Sequence, residues 1–120
     1  MEVYEVAMQE VSEGAKAARV SLLEGPPERL DEGTRNAQEN VLPKARQLRG
    51  WKGFISLVDR DSGRSKLITL WDSEDSLRAS EEQGDQLRKQ AAEGGGETIT
   101  GVERYEVAVA EQLSAHIATA

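Results

Sequence analysis

Cysteine is absent from the 120 residues, which removes disulfides, thiolate nucleophiles, iron–sulfur clusters and thiolate zinc sites together. Histidine occurs once, at His116, so a single chain cannot supply a multi-histidine metal site. No apolar run approaches the ~20 residues that a membrane span needs, and the acidic N-terminus is unlike a signal peptide. Basic residues are in deficit: 15 Lys+Arg stand against 22 Asp+Glu, a net charge of −7. An acidic excess repels phosphate backbones, so nucleic acid is not an expected partner. These absences point to a cytoplasmic protein without membrane or nucleic-acid partners. What is present, 38% apolar and 31% charged residues, suits one globular domain with a modest core.

Proline is scarce, and each of its three occurrences marks a boundary. The apolar run at residues 18–24 reads as a strand, closed by Gly25, Pro26 and Pro27. From Glu28 the period changes. Leu30, Thr34, Ala37, Val41, Ala45 and Leu48 recur at three- and four-residue spacing, the stripe of a helix that a kink or break interrupts at Pro43 and Gly50 ends. Residues 51–58 and 66–71 are rich in aromatic and branched side chains. Asp59, Asp61, Ser62 and Gly63 between them supply turn chemistry, so the pair reads as a β-hairpin. Asp72 and Ser73 can cap a second helix over 74–93, with Leu77, Ser80, Gly84, Leu87 and Ala91 on its buried side. That stripe is thin. It implies close approach to a sheet, or room left for something else. Gly94, Gly95 and Gly96 end the helix, and residues 98–110 read as a last strand.

The order is β-α-β-β-α-β, the ferredoxin-like arrangement with two helices on one face of a four-stranded antiparallel sheet. Alternation puts Trp51, Ile55 and Leu57 on one face of the hairpin and Phe54 and Val58 on the other; Leu67 and Trp71 oppose Ile68 and Leu70. Both faces carry apolar bulk, and the helices cover one. A sheet wet on one side alternates more cleanly, so the uncovered face calls for a second copy of the chain, packed sheet to sheet as a homodimer.

Residues 50–93 resemble the antibiotic-biosynthesis-monooxygenase-like group of dimeric α/β-barrel proteins. The residues that carry the likeness are a Gly-aromatic opening, the turn Asp59-Arg60-Asp61-Ser62-Gly63, a strand ending in Leu70-Trp71, and an acidic helix start. Residues 101–108 are similar to the closing strand of the same group, and the likeness extends over residues 18–110. It implies an α+β, ferredoxin-like fold forming a dimeric α/β barrel. It also implies a cofactor-independent monooxygenase acting on a small aromatic or polyketide-like molecule, because such members need neither flavin nor metal. The alternative is a non-catalytic small-ligand-binding or structural homodimer, since this fold hosts several chemistries and proteins with none.

Trp71 matches the family's tryptophan at the end of the third strand, where it implies a flat wall against a ring-shaped substrate; ordinary core packing is the competing reading. Asn40, at the border of the first helix's stripe, and Tyr105, on the last strand, are the candidate polar contacts, while Asn36 is a weaker candidate and Arg35 reads as solvent-facing. The haem-degrading branch pairs the tryptophan with a histidine on the following helix and an asparagine on the first strand. Residues 78–82 and 18–24 contain neither, so haem degradation is disfavoured, and His116 reads as a solvated tail residue. No set of carboxylates or of Ser, His and Asp has a spacing that compels catalysis.

Residues 2–12 resemble residues 103–114, sharing a Tyr-Glu-Val-Ala core. This reads as an extra N-terminal strand over residues 3–9 with Tyr4, Val6 and Met8 on one face, able to add to a sheet in its own or a neighbouring subunit; chance and a remnant of tandem domains are the alternatives. The expected organisation is an extra strand and linker over 1–16, the monooxygenase-like domain over 17–112, and a tail over 113–120.

Overall fold

The computed structural model describes residues 4–108. Five strands build one antiparallel sheet: β1 (Glu5–Val11), β2 (Ala17–Glu24), β3 (Trp51–Val58), β4 (Arg64–Trp71) and β5 (Thr98–Glu106), ordered β1-β3-β4-β2-β5. This is the ferredoxin-like order with the additional strand at one edge. The β3–β4 hairpin closes as its composition predicts. Asp59 N–H donates to Arg64 O at 2.8 Å, while the Asp59 carboxylate accepts from Asp61 N–H at 3.0 Å and Ser62 Oγ at 2.9 Å. The expected last strand stops at Glu106; residues 109 and 110, His116 and the 113–120 tail lie outside the described residues.

Both predicted helices are interrupted, each for an identifiable reason. The first comprises a 3-10 turn (Pro27–Arg29), α1 (Leu30–Asn36), a π-helical turn (Ala37–Val41) and α2 (Leu42–Ala45). Pro43 has no N–H to continue the α ladder, and Leu42 N–H reaches back five residues to Ala37 O. The extra residue in that turn lets Val41 and Leu42 both bury, beside the predicted stripe of Leu30, Ala37 and Ala45. The second helix is split into α3 (Glu74–Ala79) and α4 (Glu81–Gly95) at Ser80. Ser73 caps α3 as expected, its Oγ accepting from Ser76 N–H at 3.0 Å. Gly96 takes the left-handed conformation (φ 66°) that ends α4. No helix among the described residues is long and apolar enough to cross a membrane.

The helices cover the sheet face carrying Phe54, Val58, Leu67 and Trp71. Strict alternation mispredicts two residues, because both edge regions contain bulges. A register shift between Trp51 and Gly53 turns Trp51 to the helix face, opposite Trp71. Gly53 sits at φ 148°, and a Cβ there would lie 2.2 Å from Glu10 O, so glycine alone lets β1 pass this close. The second shift, between Val6 and Met8, sends Met8 beneath the helices onto Ala37, Val41 and Ala91, while Val6 stays 53% exposed on the open face. The larger apolar face expected for the extra strand is thus divided between two sides of the sheet.

β1 pairs with β3 of its own sheet over Glu5–Val11, two residues later than the expected segment, and β5 takes the opposite edge beside β2. The two similar sequences are the two outer strands. Because β1 completes the ladder of β3 and supplies Met8 to the core, deleting residues 2–15 is expected to lower the melting temperature by at least roughly 5 °C, the effect of about 1 kcal/mol in a domain of this size. In the intact chain, the ladder amides of residues 5–11 should exchange with deuterium orders of magnitude more slowly than an unfolded peptide. Peptide-like rates would show that the strand is not formed.

Candidate functional site

Between the helices and one end of the sheet lies a hollow of about 50 Å³, partly open to solvent. It is smaller than the roughly 300–1,000 Å³ of ordinary small-molecule sites, so a ring-sized ligand has to part the lining to enter. The sheet contributes Phe54, Leu67, Thr69 and Trp71; the π-helical turn and α2 contribute Val41, Leu42 and Ala45; α4 contributes Gly84, Leu87 and Ala91. Trp71, 1% exposed, donates its indole N–H to Thr69 Oγ1 at 3.1 Å, which leaves its ring as an apolar wall. Trp51 meets it edge-on with centroids 5.7 Å apart and stacks on Phe54 at 6.4 Å. Three of the chain's five aromatic residues, Trp51, Phe54 and Trp71, therefore line the cavity together.

Two buried arginines interrupt this apolar lining, and sequence reasoning assigned a role to neither. Arg19 of β2 is 3% exposed and Arg88 of α4 is 6% exposed. Arg19 Nη2 donates to Leu77 O at 2.8 Å and Ser80 Oγ at 3.0 Å, at the break between α3 and α4, and pairs with Glu81 at 3.3 Å. Its guanidinium carbon stands 5.6 Å from the Trp71 ring centroid. Gly84 makes room for it, since a Cβ there would be 2.5 Å from Arg19 Nη1. The thin stripe of the second helix is thus a slot for a charged side chain of the sheet. Burial pulls the pKa of Arg19 down, against the pull of Glu81 upward. Arg88 Nε donates to Ser21 Oγ at 3.2 Å, and its Nη1 stands 3.5 Å from Asp85. Arg19 Nε and Arg88 Nη1 are buried without a hydrogen-bond partner. Leaving such a donor unpaired costs about 1–3 kcal/mol, and more on a charged group.

Of the candidates read from sequence, Trp71 lies in the cavity wall, and it belongs to the core as well, packing with Ala17, Leu77, Leu48 and Trp51. Asn40 does not reach the cavity: it is exposed on the π-helical turn and donates to Asn36 Oδ1 at 3.0 Å. Asn36 donates in turn to Gln90 O at 3.3 Å, tying α1 to α4. Tyr105 is neither core nor cavity; it is 53% exposed on the open sheet face, its hydroxyl 2.9 Å from Glu103. Arg35 is exposed, as read. A signal for Arg19 was available in retrospect, a charge in the body of a largely apolar interior strand. A second carboxyl that sequence did not single out, Glu97, sits in a neighbouring small hollow, accepts from Ser65 Oγ at 2.9 Å and has its pKa raised by burial. Among the described residues, the cavity lining holds no histidine, tyrosine, methionine or carboxylate, and so offers no ligand for a haem iron.

No protein-family model matches the chain. It is 33% identical over 91 residues to the uncharacterized protein Rv2557 of Mycobacterium tuberculosis, a match covering 76% of this chain and 40% of that protein. With Rv2558 of the same organism it shares 33% over 75 residues, or 62% of this chain and 32% of that one. The chain thus spans two-fifths or less of the length of these relatives. Among solved structures, an uncharacterized ferredoxin fold protein related to antibiotic biosynthesis monooxygenases, from Listeria monocytogenes, superposes with TM-score 0.64 at 13% identity, over 88% of this chain and 64% of that one. The chain has this ferredoxin-like fold. The heme-degrading enzyme LmHde of the same organism matches with TM-score 0.63 at 14% identity, covering 86% and 69% of the two chains. An anthrone oxidase-like protein matches with TM-score 0.58 at 17% identity, covering 86% and 51%. At these identities the shared property is the fold.

In this version of the fold, one carboxylate serves two cations at the edge of the cavity. Glu81 accepts from Arg104 Nε at 2.5 Å and Nη2 at 2.7 Å, and also faces Arg19. Those Arg104 hydrogen bonds, with the charge of Arg19 added, outweigh desolvation and hold its pKa down to about 2. A depressed pKa gives stability that is fully present above the ordinary value of 4.5 and drains away as pH falls through 4.5 towards 2. The Glu81→Gln variant should therefore be less stable than the parent near pH 6, with the gap narrowing towards about pH 2.5. Urea midpoints measured across that range test this, and a gap independent of pH would exclude the linkage.

Proposed function

We propose that the chain is a cofactor-independent monooxygenase that takes a small, flat aromatic or polyketide-like molecule into the Trp71 cavity. The observation that supports this reading is the apolar hollow walled by Trp71 and Trp51 beneath the helices, which a flat ring would enter by parting the lining. In the simplest such reaction, an activated methylene between aromatic rings gives up two protons and four electrons to dioxygen. One oxygen atom becomes the new carbonyl and the other leaves as water. The protein contributes desolvation, orientation against the indole and stabilisation of the ionised substrate. Among the described residues, the lining offers no carboxylate, histidine or tyrosine as a base, which suits a substrate that is a carbon or oxygen acid strong enough to ionise once bound.

That same missing base favours a second reading, a binding module that holds the ligand without turning it over. Oxygen uptake with hydroxylated anthrones and quinols separates the two. The expected result is consumption of dioxygen that falls at least about tenfold in Trp71→Ala, a substitution that also removes buried packing of about 3–5 kcal/mol, so its folding is checked by thermal melting. Ligand binding without oxygen uptake selects the binding module.

The open sheet face supports the homodimer. It presents Val20, Leu22, Ile55, Leu57 and Ile68 half-buried, with Val6 and Tyr105 each 53% exposed at its edges. Two such faces packed together would bury them mutually, as sheet-on-sheet assemblies do. Light scattering at micromolar concentration is expected to give twice the chain mass of 13.1 kDa, and Ile68→Asp, which puts a charge at the centre of the face, should return it to one. A monomeric parent overturns the assembly.

A further inference from the structure

We infer that Arg19 and Arg88 form an anion-recognising end of the cavity, so that its ligand is a planar aromatic molecule bearing an ionised oxygen. The inference rests on the ligand-binding reading above and narrows its substrate class. Three observations carry it. Both guanidiniums are more than nine-tenths buried and both line the same cavity, in a wall otherwise made of aliphatic, aromatic and hydroxyl side chains. Each keeps a buried N–H donor that nothing among the described residues accepts from, Arg19 Nε and Arg88 Nη1.

The local charge is also uncompensated. Among the described residues, three guanidiniums, Arg19, Arg88 and Arg104, and the exposed Lys89 ammonium share two carboxylates, Glu81 and Asp85, leaving an excess of positive charge at this end. Asp85 is a weak partner, 53% exposed and at 3.5 Å from Arg88. In a chain of net charge −7, a buried positive excess stands out against the surface field. A purely structural arginine is expected to have its donors satisfied and its charge matched, and these two fall short on both counts. A ligand oxygen bearing negative charge supplies the missing acceptor and the missing charge together, and guanidinium forks suit that role better than any other side chain. Trp71, with Arg19 beside it, would hold the ring while the arginines hold the charged substituent.

Carboxylate and phenolate share this chemistry, and paired ligands distinguish them. Trp51 and Trp71 are the protein's two tryptophans and both line the cavity, so quenching of intrinsic fluorescence reports occupancy. The probes are 2-naphthoate against 2-naphthamide, and ionised 2,4-dinitro-1-naphthol against its methyl ether, each dissociation constant being confirmed by calorimetry. The anion of at least one pair is expected to bind at least about tenfold tighter than its neutral counterpart, and whichever pair shows the preference identifies the charged group. Arg88→Met should erase the preference and Arg88→Lys should restore part of it. Arg19→Met is the harsher probe because it also removes the donor that ties β2 to Leu77 O and Ser80 Oγ and the partner of Glu81, so Arg88 carries the test. Equal binding of anion and neutral partner in the parent, or a preference that survives Arg88→Met, overturns the anion site and leaves the aromatic cavity intact. Absence of binding by all four probes overturns the cavity reading and the inference with it.

Discussion

Arg19 carries a full charge into the space between sheet and helices, and a charge there must be met on each side it presents. The protein meets it with a helix end. Leu77 O and Ser80 Oγ take one nitrogen, Glu81 answers the charge, and the Trp71 ring lies alongside. Breaking the second helix at Ser80 is the cost of offering those acceptors, since a continuous helix would keep the Leu77 carbonyl for its own ladder. Gly84 follows from the same constraint, because any side chain there would occupy the guanidinium's place. The position of α4 over the sheet, and so the depth of the cavity below it, depends on this one residue of β2.

The opposite wall is set by a different irregularity. The π-helical turn before Pro43 brings Val41 and Leu42 inward together, where an unbroken α-helix with 3.6 residues per turn would spread adjacent residues by about 100°. On the sheet, the bulge at Gly53 rotates Trp51 to face Trp71. Three departures from regular geometry therefore border the cavity: a π turn above, a helix break at one end, a bulge at one edge. Irregularities of this kind change the shape of a common fold locally while leaving its topology intact.

The division of labour between the sheet's faces follows the same logic. The helix face concentrates the aromatic rings and the buried charges. The open face holds branched aliphatic residues with Lys66 among them, its ammonium 4.8 Å from the Tyr4 ring centroid. β1 contributes to both, Met8 inward and Val6 outward, and so joins the two layers mechanically at the edge where Gly53 permits its approach.

The order of elements, the hairpin turn, the Ser73 cap, the glycine stop of α4 and the additional strand were legible from residue pattern alone, because periodicity and turn chemistry are local properties. Trp71 was legible as a candidate for the same reason, a large ring at a strand end. Asn40 and Tyr105 were misplaced because their orientation depends on the π turn and on which strand forms the sheet edge, and neither is encoded at short range. Arg19 and Arg88 escaped notice because a charged residue in sequence is ordinarily a solvated one. The fold brings Arg19 of the interior strand β2, Arg88 of α4 and the aromatic pair of β3 and β4 to one cavity, and contacts between residues so far apart in the chain are chosen by packing and charge balance and no longer by local sequence preference. Sequence determined the elements and their order, and tertiary packing decided which charges were to be buried with them.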